Sequence, residues 1–318
     1  MPNQAEIEHA ARLLRAGRLV AFPTETVYGL GANALDEDAV ARIFAVKGRP
    51  ATSPLIVHVG SIEMAKSLAA DWPESAERLV RRFWPGPLTL VLRAAQNSTT
   101  GKAVVPPIVT ADLPTVGLRM PSHAVALALI RAAGVPLAAP SANRFTELSP
   151  TTAEHVRRSL GEEVDCILDG GPCQVGIEST VVSLAGAEPV LLRPGGVARA
   201  EIEALIGPIG FVQEVGAGAH PSPGMHPRHY SPRTPLFLVK GGAAPEIGRG
   251  IYLQHTLAPS RSDVSVVRMP GSAADYASAL YQQLHQADDA GYDWIAVDLP
   301  PETPEWEAVL DRLRRACS

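Results

Sequence analysis

Between Gly207 and Pro235 six prolines (208, 221, 223, 227, 232 and 235) interrupt the chain with almost no apolar periodicity between them. Proline lacks the amide donor and clashes with the preceding helical turn, so neither a helix interior nor a central strand runs through such a stretch. The chain is therefore expected to fold as two units joined by a semi-extended linker. We place the first unit at 1–207, the linker at 208–235 and the second unit at 236–318. Glycine and proline are frequent throughout, 27 and 29 of 318 residues, yet the 46% hydrophobic content is ample for packed cores. Such a chain is globular and rich in turns rather than disordered.

In the first unit, apolar residues at helical spacing predict a helix over 7–16 closed by Gly17, then a buried strand over 18–22. Asp36 caps a helix through Val46, Leu55 to Val59 is a strand, and Ser61 to Phe83 is helical with a break at Pro73. A strand over 88–92 follows. Ser122 is expected to cap a helix to Ala133, and Thr151 with Glu154 makes a capping-box pattern for a helix to Leu160. Strands at 164–168 and 180–184 complete an irregular alternation, which implies a mixed sheet covered by helices. The second unit reads as strands at 236–239, 264–268 and 294–299 with helices at 273–287 and 305–316, a small α/β domain.

Net charge is −5, and the last quarter from Lys240 holds 7 basic against 11 acidic residues. An anionic ligand is thus expected in the first three-quarters, and stable nucleic-acid binding is not, because aromatics for base stacking are only 5%. Cys166, Cys173 and Cys317 show no CxxC spacing, so they read as reduced thiols. The N-terminus shows no positive leader with an apolar run, and no run of 18 apolar residues occurs. A soluble, cytoplasmic protein without membrane association is expected.

The chemistry concentrates at turns. FPTETVYGLG (22–31) leads from a buried strand into hydroxyls, one carboxylate and glycines, which suits a small polar ligand. In AVKGRPATSPLIVHV, Lys47 and Arg49 follow a helix and precede Ser53 and His58, and two cations in such a loop suit a polyphosphate. A solvated surface pair is the alternative. No Walker A loop is present. Thr115 and Arg119 in TVGLRMP, Ser141 and Asn143 in APSAN, Ser179 and Thr180 in GIESTVV, and Arg193 in LLRPGG recur beside Gly or Pro at strand ends. In PGMHPRHYSP, His226 and His229 lack Cys or carboxylate partners and predict no metal site, whereas Tyr230 with a neighbouring cation suits a lid.

Taken together these motifs resemble the YrdC-like threonylcarbamoyl-AMP synthases in their longer, two-domain form. The resemblance implies a YrdC-like mixed twisted sheet with helices and a smaller Rossmann-like α/β domain. It implies condensation of L-threonine, bicarbonate and ATP into threonylcarbamoyl-adenylate and pyrophosphate, with Mg2+ arriving with ATP and the product passing to the machinery that modifies tRNA beside the anticodon. Residues matching the threonine site are Thr26, His58, Arg119, Ala139 and Ser179, with Thr180 one residue away from the last. Those matching the ATP site are Arg49, Ser53, Thr115, Ser141, Ser149, Arg193 and Tyr230, and Lys47 and Arg49 are the phosphate-facing catalytic cations. Two other readings stay open at this stage. One is a module binding double-stranded RNA or tRNA, the other a hydrogenase-maturation carbamoyltransferase, whose zinc-finger CxxC pairs are missing here.

Overall fold

The computed structural model describes residues 1–50, 52–212 and 230–317. Along the chain run α1 (Gln4–Arg15), β1 (Val20–Phe22), β2 (Gly29–Asn33), α2 (Glu37–Lys47), β3 (Ile56–His58), α3 (Ile62–Leu68), α4 (Glu74–Phe83) and β4 (Leu88–Arg93). Next come α5 (Pro107–Thr110), β5 (Thr115–Arg119), α6 (Ala124–Ala133), β6 (Leu137–Ala138), α7 (Ala153–Leu160), β7 (Cys166–Ile167), β8 (Thr180–Ser183), β9 (Val190–Arg193), α8 (Arg199–Ile206) and β10 (Gly210–Phe211). The second unit contains β11 (Leu236–Val239), β12 (Gly250–Gln254), β13 (Ser265–Arg268), α9 (Ala273–Asp289), β14 (Trp294–Asp298) and α10 (Glu307–Ala316).

The first unit is built on one mixed sheet in the order β10-β9-β8-β4-β5-β3-β6-β2-β1-β7. FPTETVYGLG is a β-hairpin: β1 and β2 pair antiparallel, Phe22 opposite Gly29, and the hydroxyl-rich residues 23–28 form the connection. The sequence places a turn there but not the returning strand, because Gly29 and Gly31 lower its β-propensity. Gly210 and Phe211 pair with β9, so the linker's first residues extend the sheet edge. The rest of the linker's proline-rich centre, 213–229 with His226, Arg228 and His229, lies outside the described residues.

Helix starts follow side-chain chemistry, and two of them move by one residue from expectation. Asn3 and Glu6 form a capping box on α1, and the Asp36 carboxylate accepts the Ala39 amide at 3.1 Å. In α6 the cap is His123, whose Nδ1 accepts from Val125 N at 3.2 Å, while the Ser122 amide donates to Glu25 Oε2. In α7 Thr152 is the cap and accepts from His155 N. Thr151 is instead buried against the His155 ring, so the expected capping box with Glu154 does not form. The helical stretch 61–83 divides into α3 and α4, with Pro73 starting the second.

The second unit's sheet is wholly parallel in the order β11-β14-β12-β13. Its strand β12, GIYLQ, follows Gly248-Arg249 and carries no alternation that marks it in sequence. Its core does not close on itself. Val27, Leu148 and Ile177 from the first unit and Tyr230 from the linker join Leu280, Tyr281, Leu284, Leu310 and Leu313 in one apolar cluster. Gly176 makes the approach possible, since a Cβ there would stand 2.6 Å from the Ser278 backbone, and its φ is +75°.

At the same junction His155 of the first unit stacks on His285 of the second, with centroids 3.8 Å apart. Burial pushes the pKa of His155 down to about 3 and that of His285 to about 4, so both rings are neutral in the fold. Unfolded histidine titrates near 6.5, so below that pH the unfolded chain binds more protons than the folded one. The contribution of these two histidines to stability is therefore expected to be flat above pH 7 and to fall as pH drops from about 6.5 toward 4, by at most about 1.4 kcal/mol per pH unit per histidine. Urea titrations at several pH values check this, and His285→Phe should flatten the slope; an equally steep slope in that variant counts against the stack as the source.

Candidate active site

Consecutive sheet strands bring their polar ends to one edge. Arg119 ends β5 and lies in register with His58, which ends β3, and Arg193 at the end of β9 faces Val181 at the start of β8. Ligand crevices in open sheets form where such strand ends and their loops meet. Here they enclose a cavity of about 50 Å3, walled by residues that include Thr24, Thr26, Arg49, His58, Arg119 and Tyr230.

The hydroxyl corner is held by its own turn. Thr24 Oγ1 donates to Val27 O at 2.6 Å and lies 2.8 Å from Thr26 Oγ1, a local side-chain-to-backbone pattern that Thr favours in turns. Beside it Arg119 and Glu25 form an ion pair at 2.8 Å, both about 5% exposed. Glu25 Oε2 also takes the Ser122 amide, and Arg119 Nε reaches Gly86 O at 3.4 Å. His58 is buried, its pKa lowered to about 3 by burial and by Arg119, and its Nδ1 has no partner among the described residues.

On the opposite wall Arg49 spends Nη2 on Ser53 Oγ at 2.7 Å and Pro54 O at 3.1 Å, leaving Nε without a partner among the described residues. Burial and the Arg193 charge pull its pKa down to about 10, so it stays cationic at neutral pH. Arg193 clasps Ser179 O with Nε at 3.1 Å and Nη2 at 3.0 Å, and Nη2 also reaches Ser179 Oγ. Burial likewise lowers the Arg193 pKa. Gly195 permits this closeness, since a Cβ would stand 2.4 Å from the backbone of 178–180.

The cavity gathers all five residues of the expected threonine set, Thr26, His58, Arg119, Ala139 and Ser179, and four of the expected ATP set, Arg49, Ser141, Arg193 and Tyr230. Ser179 rather than Thr180 faces it, because the Thr180 hydroxyl is engaged in both directions with Val197, donating to its carbonyl and accepting from its amide. Three expected residues stand back. Ser53 acts through Arg49, and Ser149 donates to Glu178 Oε1 at 2.5 Å. Thr115 opens β5 opposite Arg93, at the other end of the strand from Arg119. Lys47 does not line the cavity either: its ammonium is bound by the carbonyls of Ser141 and Asn143, and burial with the nearby Arg49 lowers its pKa well below the ordinary range.

Thr24 and Glu25, covered in sequence only as part of FPTETVYGLG, and Glu178, given no role there, also build this site. The signal for the acids is a lone carboxylate inside an otherwise apolar or hydroxyl-bearing motif, a residue that must find a partner when buried. Both acids have found one, Arg119 for Glu25 and Arg312 for Glu178.

Residues 12–195 match the family model described as Telomere recombination (Sua5/YciO/YrdC). Residues 197–318 match that of the Threonylcarbamoyl-AMP synthase C-terminal domain. The chain belongs to the threonylcarbamoyl-AMP synthase family. Relatives of that name from Pyrococcus abyssi and Bacillus subtilis are each 43% identical, covering 98% and 99% of this chain and 94% and 93% of their own length. The structure of P. abyssi Sua5 complexed with L-threonine matches with a TM-score of 0.90 at 40% identity, covering all of this chain and 95% of that one. No helix among the described residues is long and apolar enough to cross a membrane.

Proposed function

We propose that this chain condenses L-threonine, bicarbonate and ATP into L-threonylcarbamoyl-adenylate and pyrophosphate, for transfer of the threonylcarbamoyl group to tRNA by separate machinery. The observation that carries this reading is the convergence of Thr26, His58, Arg119, Ala139 and Ser179 with Arg49, Ser141, Arg193 and Tyr230 on one buried cavity. Full-length similarity to enzymes named for the same reaction supports it.

Threonine's amine attacks the carbon of bicarbonate, forming an N–C bond and releasing water, and the carbamate is unstable in bulk water. A site closed from solvent is therefore required. A neutral His58 with an unspent Nδ1 offers a hydrogen bond without adding charge near the amine. The carbamate oxygen then attacks the α-phosphorus of ATP in line, and the bond to the bridging oxygen of the departing pyrophosphate breaks. Negative charge grows on the phosphoryl oxygens, where Arg49 and Arg193 stabilise it. The nucleophile is already an anion, so this step needs no protein base. Lys47 fixes the loop that presents Ser141. The cavity, about 50 Å3, has room for only a few waters.

The two carboxylates nearest the cavity are both engaged, Glu25 by Arg119 and Ser122, Glu178 by Arg312, Tyr281 and Ser149. Among the described residues these two acids form no open carboxylate cage, and Mg2+ is expected to enter on the ATP phosphates and keep several of its waters. A cytoplasmic enzyme that does not hold tRNA stably fits the charge balance. The test is direct: purified protein with L-threonine, bicarbonate and Mg-ATP should release pyrophosphate and form the adenylate detected by mass spectrometry. Pyrophosphate release indifferent to threonine, or none at all, overturns the reading.

A further inference from the structure

Among the described residues the second unit reaches the cavity wall through Arg312, with Tyr281 beside it. Arg312 on α10 is fully buried, at 0% side-chain exposure. Its Nε donates to Glu178 Oε2 at 2.6 Å, its Nη2 donates to Pro194 O at 3.0 Å, and its guanidinium carbon lies 5.1 Å from the Tyr230 ring centre. Its Nη1 is bound by Asp311. Tyr281 on α9 adds its hydroxyl to Glu178 Oε2 at 3.1 Å. Burial alone would raise the Glu178 carboxyl, but Arg312, Arg193 and the Ser149 hydroxyl hold it below the usual carboxylate range.

Three of the groups that Arg312 touches, Glu178, Pro194 and Tyr230, belong to the wall or adjoin it. Glu178 and Tyr230 line the cavity, and Glu178 immediately precedes Ser179, whose carbonyl is clasped by Arg193. Pro194 follows Arg193 in the chain. Ser149, bonded to Glu178, belongs with Arg193 and Tyr230 to the residues expected to hold ATP. One guanidinium therefore fixes three separate segments on the nucleotide side, and its planar fork suits that better than an ammonium would.

We propose that Arg312 is a positioning residue of the second unit, which aligns Glu178, Pro194 and Tyr230 so that the first unit binds ATP productively. This rests on the function proposed above. It makes the α/β unit a working part of the site, acting from α10 through Glu178, Pro194 and Tyr230.

The test uses the full chain with Arg312→Lys, Arg312→Met and the charge-neutral pair Arg312→Met with Glu178→Gln. Removing one partner of a buried ion pair destabilises strongly, whereas replacing both avoids an unpaired charge, so the double variant is expected to fold when Arg312→Met does not. In the double variant the KM for ATP should rise at least tenfold with the KM for threonine within about twofold of the wild type. Arg312→Lys should recover part of the loss. Simple loss of folded protein lowers kcat for both substrates and moves neither KM. A folded double variant with wild-type kcat/KM for ATP, or one with both KM values raised equally, overturns the proposal. Absence of threonine-dependent turnover in the wild type is the separate failure of the functional reading, and it removes this proposal with it.

Discussion

Arg49→Ala is expected to lower threonine- and bicarbonate-dependent pyrophosphate release by about two to three orders of magnitude, the usual effect of removing one preorganised donor to developing charge. Arg49 sits 7% exposed in the cavity wall, its guanidinium oriented by Ser53 Oγ and Pro54 O while Nε remains unspent. Fixing the fork beforehand means no reorganisation is needed as charge forms, and low local polarity strengthens each contact. Arg49→Lys should rescue little, because a single ammonium cannot hold the Ser53 and Pro54 contacts while reaching phosphate. Steady-state pyrophosphate release, with circular dichroism to confirm the fold, checks both variants. Turnover within threefold of wild type in Arg49→Ala would sink its assignment to the phosphate.

Arg119→Met is expected to have the largest combined effect on stability and substrate binding. It strands Glu25 in the interior, which costs about 3–5 kcal/mol when one partner of a buried pair is removed. It also deletes the cation in register with His58, which lines the cavity with Thr26, so threonine binding should weaken by at least tenfold. The two effects separate in the double variant Arg119→Met with Glu25→Leu. Stability by urea unfolding should return most of the way, because no buried charge is left alone, while threonine binding by calorimetry should stay weak. A double variant that binds threonine normally would show that Arg119 serves the fold only.

The site was legible in sequence to the extent that chemistry is local. Thr26, Arg49, His58, Arg119, Ser141, Ser179 and Arg193 each stand in a short motif where a polar group interrupts an apolar run beside Gly or Pro. A residue of that kind at a strand end must meet solvent or a ligand. Lys47 shows the limit of such reasoning. Its spacing from Arg49 suggests two cations facing one phosphate, but a lysine ending a helix is within reach of carbonyls from another loop. In the fold Ser141 and Asn143 take it. The short strand β2 escapes for a related reason, since a glycine-rich segment pairs by neighbourhood rather than by its own propensity.

Arg312 lies beyond any local reading. It falls three residues after Val309 and just before Leu313, on the buried stripe of α10, where an arginine reads as an error in the pattern. Its partner, Glu178, is 134 residues away.

By itself the sequence determined the two-unit division, the mixed sheet, the cluster of hydroxyls and arginines at strand-end turns, and the family. The division and the sheet follow from steric rules of proline and glycine and from the periodicity of apolar residues, which act over a few residues, whereas the family follows from the resemblance that the motifs carry. Tertiary structure alone decided which polar groups face the cavity and which are spent inside the wall, and that the second unit shares its core and one arginine with the first. A buried charge is settled by whichever opposite charge packing brings within about 3 Å, and that distance is set by the whole fold.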